Sequence, residues 1–195
     1  PPKEFRATST TVNQLVDAAG KLSQNRKGAL IVVDLGSDLR PEDFLYSGIK
    51  IEAKLSTDLL INLFATDTPL HDGAVLVKGN KIISAGVILP LSRQGISRYG
   101  TRHLAALGIT ERFDRCICIV VSEETGTLSL ANQGKLERPI TSSRLQELLI
   151  KLVGNQNTSG TPKSSSNKTN SYQKTNTNDT ITVEKKLDKP NTIQD

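Results

Sequence analysis

The 195-residue sequence contains no methionine or tryptophan, only two cysteines and two histidines, and just 4% aromatic residues. The scarcity of aromatic side chains argues against RNA-binding modules, which stack bases on Phe and Tyr. Two thiols are also too few for a zinc site built on cysteine. Cys116 and Cys118 lie two residues apart in a strand-like run, so we interpret them as buried apolar residues and not as a disulfide.

Several common catalytic and membrane signals are also absent. No Gly-rich loop ends in Lys-Ser or Lys-Thr, and neither Gly-x-Gly-x-x-Gly nor Gly-x-Ser-x-Gly occurs, which argues against P-loop, Rossmann and hydrolase-elbow sites. The sequence has no run of 18 apolar residues and no visible secretory signal. Because it begins Pro-Pro-Lys and lacks Met, we expect a fragment, from which any upstream anchor would be absent.

The composition changes sharply near residue 154. We predict a leader over residues 1–8, a folded domain over residues 9–153 and a disordered tail over residues 154–195, which is rich in Asn, Thr, Ser and Lys. The tail holds six lysines and four acids, so the remaining residues carry only +3 of the net charge of +5. That charge is too small to indicate duplex nucleic acid, and it suits a phosphorylated small molecule equally well.

The hydrophobic pattern predicts an α/β domain, with a mixed central β-sheet flanked by helices on both faces. Continuous apolar runs at residues 29–33 and 116–121 predict strands buried on both sides. The other predicted strands are 49–53, 74–77, 81–89 and 127–131, and the predicted helices are 9–22, 41–46, 57–64, 101–111 and 141–152. For the first of these helices, Ser9 to Thr11 offer N-caps.

The first cluster of chemically active residues runs from Leu70 to Ala74 and reads Leu-His-Asp-Gly-Ala. Asp72 stands at the start of a predicted strand, where a carboxylate can orient a hydroxyl group or hold a divalent metal ion. Gly73 has no side chain and lets a ligand approach the backbone closely. Asp-Gly is also a common turn pair, so the pentapeptide alone fits an ordinary turn as well.

The second cluster, Gly100-Thr101-Arg102-His103, opens a predicted helix. A helix N-terminus offers unpaired N–H groups and the positive end of the helix dipole. Gly100 permits close approach, Thr101 adds a hydroxyl, and Arg102 can donate two parallel hydrogen bonds to phosphate oxygens. These features fit an anion such as a phosphate chain, and an ordinary Thr-capped helix with a surface arginine is the plain alternative.

The third cluster, Ser122-Glu123-Glu124-Thr125-Gly126, follows a predicted buried strand. Two acids at the end of a strand fit either a cation site or a solvated turn. Alone, the segment does not decide between them.

In this order along the chain, the three clusters resemble those of the bacterial diadenylate cyclase domain. The resemblance runs from about Val12 to Leu149 and is greatest for the membrane-anchored branch of that family. The segments that carry it are Gly28 to Val32, Leu59 to Asn62, Thr68 to Val75, Leu89 to Ser92, Gly100 to His103 and Val120 to Gly126.

That resemblance implies the diadenylate cyclase fold and an enzyme that condenses two ATP molecules into the second messenger cyclic di-AMP, releasing two pyrophosphates. Each subunit of a face-to-face homodimer would hold one ATP, and the ribose 3′-hydroxyl of one would attack the α-phosphorus of the other. A divalent metal, Mg²⁺ or Mn²⁺, would be the cofactor, with no nucleic-acid partner. The domain would be cytoplasmic, in a full-length protein held at the cell membrane by segments absent here.

The same resemblance assigns roles to individual residues. The catalytic residues would be Asp72, Arg102 and His103; the nucleotide-binding residues would be Gly73, Ala74, Leu91, Gly100, Thr101 and Ser122; and the metal ligands would be His71, Asp72 and Glu123.

The sequence departs from the family pattern at two positions. The family motif Arg-His-Arg ends here in Leu104, so one phosphate-facing cation is missing. An aromatic residue that can stack on adenine commonly precedes Leu-Pro-Leu-Ser, and here Ile88 stands in that region, so apolar packing would replace the stacking. The alternative function is therefore a nucleotide-binding or regulatory module with impaired turnover.

Overall fold

The computed structural model describes the backbone of residues 3–154 and the side chains of residues 9–154. The helices are α1 (Lys3–Gln24), α2 (Thr57–Leu63), α3 (Thr101–Arg112) and α4 (Ser142–Gly154). The strands are β1 (Ala29–Asp34), β2 (Ile49–Lys54), β3 (Ala74–Lys78), β4 (Lys81–Val87), β5 (Cys116–Val121), β6 (Leu128–Asn132) and β7 (Lys135–Ile140). Two short 3₁₀ helices lie at Pro41–Asp43 and Pro69–Asp72.

The seven strands form one sheet in the order β2-β4-β3-β1-β5-β6-β7. Strands β1 and β3 run parallel, and the other described pairs are antiparallel. The central strands β1 and β5 are buried along their whole length, because both faces of the sheet are covered. Their continuous Val and Ile runs are typical of that position.

Helices cover the two faces unequally. One face carries α1, α2 and α4, whose buried side chains pack with Ile31 and Val33 of β1. The other face carries α3, which packs with Leu30 and Val32 of the same strand. Alternate residues of β1 therefore serve two separate cores, as the period of a strand requires. The predicted fold class, a mixed sheet with helices on both faces, is confirmed.

Local sequence signals explain where most elements begin. Helix α2 starts after Ser56, whose side chain accepts a hydrogen bond of 3.2 Å from the Leu59 N–H. In α4, the Thr141 hydroxyl accepts a bond of 3.1 Å from the Arg144 N–H. Such caps contribute about 1 kcal/mol each, because they satisfy N–H groups that the first turn leaves unpaired.

The start of α1 differs from the prediction. The helix begins at Lys3 and not near Ser9, so Ser9 to Thr11 lie inside it and do not cap it. Residues 3–8 contain Lys, Glu, Arg and Ala without Pro or Gly, and these strong helix formers extend the helix upstream. A run of Ser and Thr favours an N-cap only where the preceding residues cannot continue the helix.

Strand β7 was missed by the sequence analysis, which predicted no strand between residue 131 and the helix that starts at residue 141. Pro139 lies inside it, after a cis peptide bond from Arg138. Proline cannot donate a ladder hydrogen bond, so it is tolerated in a strand mainly at the border of a sheet. Because β7 is the last strand in the order, it pairs only with β6 among the described strands.

Smaller differences concern three other boundaries. The helix predicted over residues 41–46 is a single 3₁₀ turn, and β4 ends at Val87, followed by an isolated bridge between Tyr46 and Ile88. Helix α4 continues to Gly154. The predicted disordered tail was residues 154–195; Gly154 is helical, and residues 155–195 lie outside the described part of the chain, so the domain boundaries stay a prediction.

Candidate functional site

Strands that are distant in sequence bring their ends together at one end of the sheet. The register pairs Ala29 with Val121, so the start of β1 lies beside the end of β5. Because β3 runs parallel to β1, its start at Ala74 lies at the same end. Asp72 before β3, Gly28 before β1 and Glu123 after β5 therefore meet along one line. We call this line the site end of the sheet.

Arg102, in the first turn of α3, lies over the middle of the site end. Its Nη1 donates a hydrogen bond of 3.1 Å to Oε2 of Glu123. Its guanidinium group also packs directly on Gly28: a Cβ atom at that residue would lie 2.5 Å from the Arg102 Cζ. Gly28 therefore provides the space in which the guanidinium group lies. The sequence analysis gave Gly28 no role at the site.

Two cavities open on either side of Arg102. The larger one, of about 730 Å³, is here called the polar cavity, and the smaller one, of about 120 Å³, the apolar cavity. The polar cavity is lined by Arg98, Gly100, Thr101, Arg102, His103, Val121, Ser122, Glu123, Glu124, Thr125 and Arg138. The apolar cavity is lined by Leu30, Asp72, Gly73, Ala74, Val87, Ile88, Leu89, Leu91, Thr101, Arg102 and Ala105.

Thr101 and Arg102 line both cavities, so the two spaces meet at the N-terminus of α3. Asp72 and Arg102 line the same cavity, although thirty residues separate them in sequence. The carboxylate of the first sequence cluster and the arginine of the second can therefore contact one ligand. Glu123 of the third cluster is connected to this cavity through its hydrogen bond with Arg102.

His71 and Asp72 form a close pair beside the apolar cavity. The His71 Nε2 lies 3.0 Å from Oδ1 of Asp72, whose side chain is 75% exposed. The other ring nitrogen, Nδ1, hydrogen-bonds the Thr68 carbonyl oxygen. A carbonyl can only accept, so Nδ1 carries the proton and the lone pair of a neutral ring would face the carboxylate. Two acceptors at this distance can both bind one cation.

The three predicted metal ligands do not form one cluster. Among the described residues, no group of three or more His, Cys, Asp or Glu side chains is placed to hold a metal ion. Strand β1 lies between β3 and β5, so the backbone before β3 and the backbone after β5 are about 10 Å apart. His71 and Asp72 are together, and Glu123 is bonded to Arg102 instead.

His103 is buried beneath the polar cavity. Its Nε2 shares a hydrogen bond of 3.3 Å with the Ser129 hydroxyl of β6, and its ring stacks on Tyr99 with 6.2 Å between the ring centres. Burial, followed by the charges of Arg138 and Arg102, lowers the pKa of His103. The imidazole is therefore neutral near pH 7, and its contacts support the wall of the cavity. Its predicted catalytic role stays a prediction.

Two glycines of the site are required by close packing. A Cβ at Gly73 would lie 2.5 Å from the Gly86 carbonyl carbon, so the residue after Asp72 is pressed against β4. A Cβ at Gly108 would lie 2.2 Å from the Pro90 oxygen. Helix α3 consequently lies directly on the segment from Pro90 to Ser92, and the Leu104 carbonyl accepts a bond of 2.9 Å from the Ser92 N–H. This contact fixes the wall of the apolar cavity.

The two departures from the family pattern have different surroundings. Leu104 is 7% exposed and, as far as the described residues show, lines neither cavity. Ile88 and Leu91 line the apolar cavity and stay 40% and 51% exposed. The apolar surface that could replace an aromatic residue is therefore present, whereas Leu104 brings no charge to either space.

A mixed α/β sheet with an arginine-lined cavity at a helix N-terminus is typical of the class of domains that bind phosphorylated ligands. Residues 16–136 match the family described as DisA bacterial checkpoint controller nucleotide-binding, or DAC. The chain belongs to this diadenylate cyclase family, as the motifs of the sequence indicated.

Relatives and solved structures agree with that assignment. A diadenylate cyclase of Listeria monocytogenes is 48% identical over 132 residues, which cover 67% of this chain and 47% of the relative. A structure of DacA from Staphylococcus aureus is 37% identical with a TM-score of 0.68, and the match covers 74% of this chain and 96% of that one. A structure from Bacillus cereus, described as a hypothetical membrane spanning protein, is 41% identical with a TM-score of 0.61, covering 66% and 63%.

The chain spans about half the length of the Listeria relative. Among residues 3–154, no helix is long and apolar enough to cross a bilayer.

Proposed function

We propose that this chain is a diadenylate cyclase that condenses two ATP molecules into cyclic di-AMP and releases two pyrophosphates. The observation that carries the proposal is the placement of Asp72 and Arg102 on one cavity, which opens past Thr101 into the polar cavity. Membership of the diadenylate cyclase family supports the same activity.

In this proposal, one ATP lies along the site end of the sheet. The adenine and ribose occupy the apolar cavity, against Ala74, Leu91 and Gly73, and Ile88 provides apolar contact in place of an aromatic ring. The phosphates cross the N-terminus of α3 at Gly100 and Thr101 and enter the polar cavity beside Ser122. The N–H groups of the first helical turn and the guanidinium group of Arg102 supply the positive charge that a triphosphate requires.

Asp72 orients the ribose 3′-hydroxyl and accepts its proton. The freed oxygen forms a bond to the α-phosphorus of the second ATP, the bond from that phosphorus to the bridging oxygen breaks, and pyrophosphate leaves with the electron pair. A second, identical step closes the ring. Such a transfer depends mainly on positioning and on stabilisation of developing charge, which the fixed Arg102 provides.

A divalent cation fits beside Asp72. The His71 Nε2 and the Asp72 carboxylate are two donors directed at one position, and the bond from Nδ1 to Thr68 holds the ring in the tautomer that a metal ligand needs. Mg²⁺ commonly binds one or two protein ligands and takes its other oxygens from water and phosphates. The cation would neutralise phosphate charge during the transfer.

The reaction requires a second ATP, and we assign it to a second copy of the chain. Asp72 is 75% exposed, so its carboxylate is open to a nucleotide presented from outside the subunit. Two subunits facing each other would bring each 3′-hydroxyl to the partner's α-phosphorus. We further propose that the full-length protein is held at the cell membrane, which is supported by the description of the Bacillus cereus relative as membrane spanning.

Incubation of the protein with ATP and Mn²⁺ or Mg²⁺, followed by chromatography, tests the activity. Cyclic di-AMP in the wild-type reaction supports the enzyme. ATP binding without product supports the alternative, an impaired nucleotide-binding module, in which Leu104 is the residue of interest. In that case Leu104→Arg is the companion variant, and recovered product would identify the missing cation as the cause.

A further inference from the structure

Three arginines line the polar cavity, and only one of them has an acidic partner. Arg102 is bonded to Glu123, whereas Arg98 and Arg138 form no salt bridge among the described residues. Glu124 also lines the cavity and is exposed. A guanidinium group can donate two parallel hydrogen bonds to phosphate oxygens. The two unpaired guanidinium groups are therefore available to a ligand beyond the reach of Arg102.

Arg138 is held in place by an aromatic ring. Its Cζ lies 5.6 Å from the centre of the Tyr99 ring, which stacks on His103, and His103 is tied to Ser129. Gly95, in the preceding loop, packs closely against the same ring: a Cβ at that residue would lie 2.7 Å from the Tyr99 ring. Arg138 is exposed, but its contact with the Tyr99 ring restricts its side chain. It therefore loses less side-chain entropy when a ligand binds.

The position of Arg138 along the sheet indicates which part of the ligand it meets. Arg102 packs on Gly28, just before β1, and Arg138 lies in β7, three strands further along the sheet. At about 4.8 Å per strand, the β7 backbone is about 14 Å from β1, beside which the Arg102 guanidinium group packs. The two guanidinium groups therefore line different parts of the polar cavity, so they would meet different phosphates of one triphosphate.

We propose that Arg138, oriented by Tyr99 and assisted by Arg98, binds the β- and γ-phosphates of ATP and holds pyrophosphate as it leaves. The inference rests on the proposed function. When the bond from the α-phosphorus to the bridging oxygen breaks, the electron pair stays on pyrophosphate, and the guanidinium group stabilises that added charge. Arg138 thereby supplies a phosphate-facing cation, whereas the last position of the Arg-His-Arg motif is the uncharged Leu104 in this chain.

The test compares two ligands that cannot cyclise because they lack the attacking hydroxyl: 3′-deoxy-ATP and 3′-deoxy-AMP. Calorimetry with Mg²⁺ measures their binding to the wild type, to Arg138→Ala and to the control Arg93→Ala, which removes an exposed arginine of the same loop as Arg98 that does not line the cavity. A lost charge-assisted hydrogen bond weakens binding about 10- to 100-fold. We expect that loss for 3′-deoxy-ATP with Arg138→Ala, with 3′-deoxy-AMP unchanged.

Equal losses for both ligands, or an Arg138→Ala variant that matches Arg93→Ala, would overturn the inference while leaving the proposed function intact. A wild type that binds neither ligand and forms no cyclic di-AMP would overturn both. Binding of inorganic pyrophosphate alone gives a second measurement, since it contains only the groups that Arg138 would hold. We expect it to weaken in Arg138→Ala and not in Arg93→Ala.

Tyr99 is a positioning residue in this scheme, and its variants separate positioning from general stability. Tyr99→Phe keeps the ring and should retain the affinity for 3′-deoxy-ATP, whereas Tyr99→Leu should lose part of it. In the Arg138→Ala background, Tyr99→Leu should cause no further loss, because the arginine that it positions is already gone. Independent, additive losses would contradict the positioning role.

Discussion

The two cavities that meet at Arg102 are built from different kinds of residue. The apolar cavity is mostly Leu, Ile, Val and Ala, with Asp72 as its one carboxylate among the described lining residues. The polar cavity contains three arginines and two glutamates. One space is suited to recognising shape and the other to holding charge. Chemistry is expected at their junction, where a carboxylate and a helix N-terminus can act on one ligand.

The largest expected effect comes from the carboxylate at that junction. Asp72→Asn removes the proposed proton acceptor without changing the size of the side chain, so product formation should fall by about 10²- to 10⁴-fold while 3′-deoxy-ATP binding persists. Chromatography of cyclic di-AMP measures the rate, and Asp67→Asn, on a nearby exposed turn, is the matched control. Unchanged turnover would remove Asp72 from the chemistry.

The next largest effect is expected at Gly28, on which Arg102 packs where the two cavities meet. Gly28→Ala places a Cβ where the Arg102 guanidinium group lies, so the arginine must move and its bond to Glu123 is lost. We expect turnover to fall about 10-fold or more, the magnitude of one charge-assisted hydrogen bond. Gly154→Ala, where the added Cβ would meet nothing within 4 Å, is the control. If both variants keep wild-type rates, Arg102 does not need its present position.

A smaller effect is expected at the apolar cavity, from a substitution of Ile88. Ile88→Tyr adds an aromatic ring to the wall of the apolar cavity, and such stacking contributes about 0.5–1.5 kcal/mol, a few-fold in affinity. Calorimetry with 3′-deoxy-AMP should therefore show tighter binding. Ile96→Tyr adds the same ring to an exposed position outside that cavity's lining. An identical response in both variants would mean that the base does not lie against Ile88.

The smallest effect is a pH dependence of the protein's stability that arises from His103, beneath the polar cavity. Burial lowers the pKa of His103 in the folded protein below the ordinary histidine value of about 6.5. Its contribution to stability is therefore fully present above about pH 6.5 and is lost as the pH falls, because the unfolded chain then binds a proton that the folded protein resists. Thermal unfolding from pH 7.5 to 5 should show a shallower decline in His103→Gln than in the wild type. Parallel curves would exclude His103 as the source.

The sequence predicted the elements that have strong local signals. Buried strands β1 and β5 are uninterrupted apolar runs, and Ser56 and Thr141 provide local caps for α2 and α4. Strand β7 was missed because Pro139 resembles a strand breaker unless its place in the sheet order is known. The start of α1 was wrong because the cap signal at Ser9 competes with good helix formers upstream.

The residues of the candidate site also fall into two groups, those that the sequence analysis singled out and those that it did not. The sequence analysis singled out Asp72 and Arg102 because each stands close to a glycine at the start of a predicted strand or helix. Gly28, Tyr99 and Arg138 were not found, because their roles come only from contacts between distant segments. Nothing in the sequence around Gly28 indicates that a side chain seventy-four residues later lies against it.

The Gly79–Asn80 turn between β3 and β4 has a practical consequence. Gly28 and Asp72 lie before this turn, and Arg102, Glu123 and Arg138 lie after it. A chain cut there would yield two pieces, each with only part of the machinery, and a Cβ at Gly79 would meet nothing within 4 Å. Cyclic di-AMP made by the mixed pieces would then serve as a chemical reporter of their complementation, so the proteins fused to them could be assayed for association.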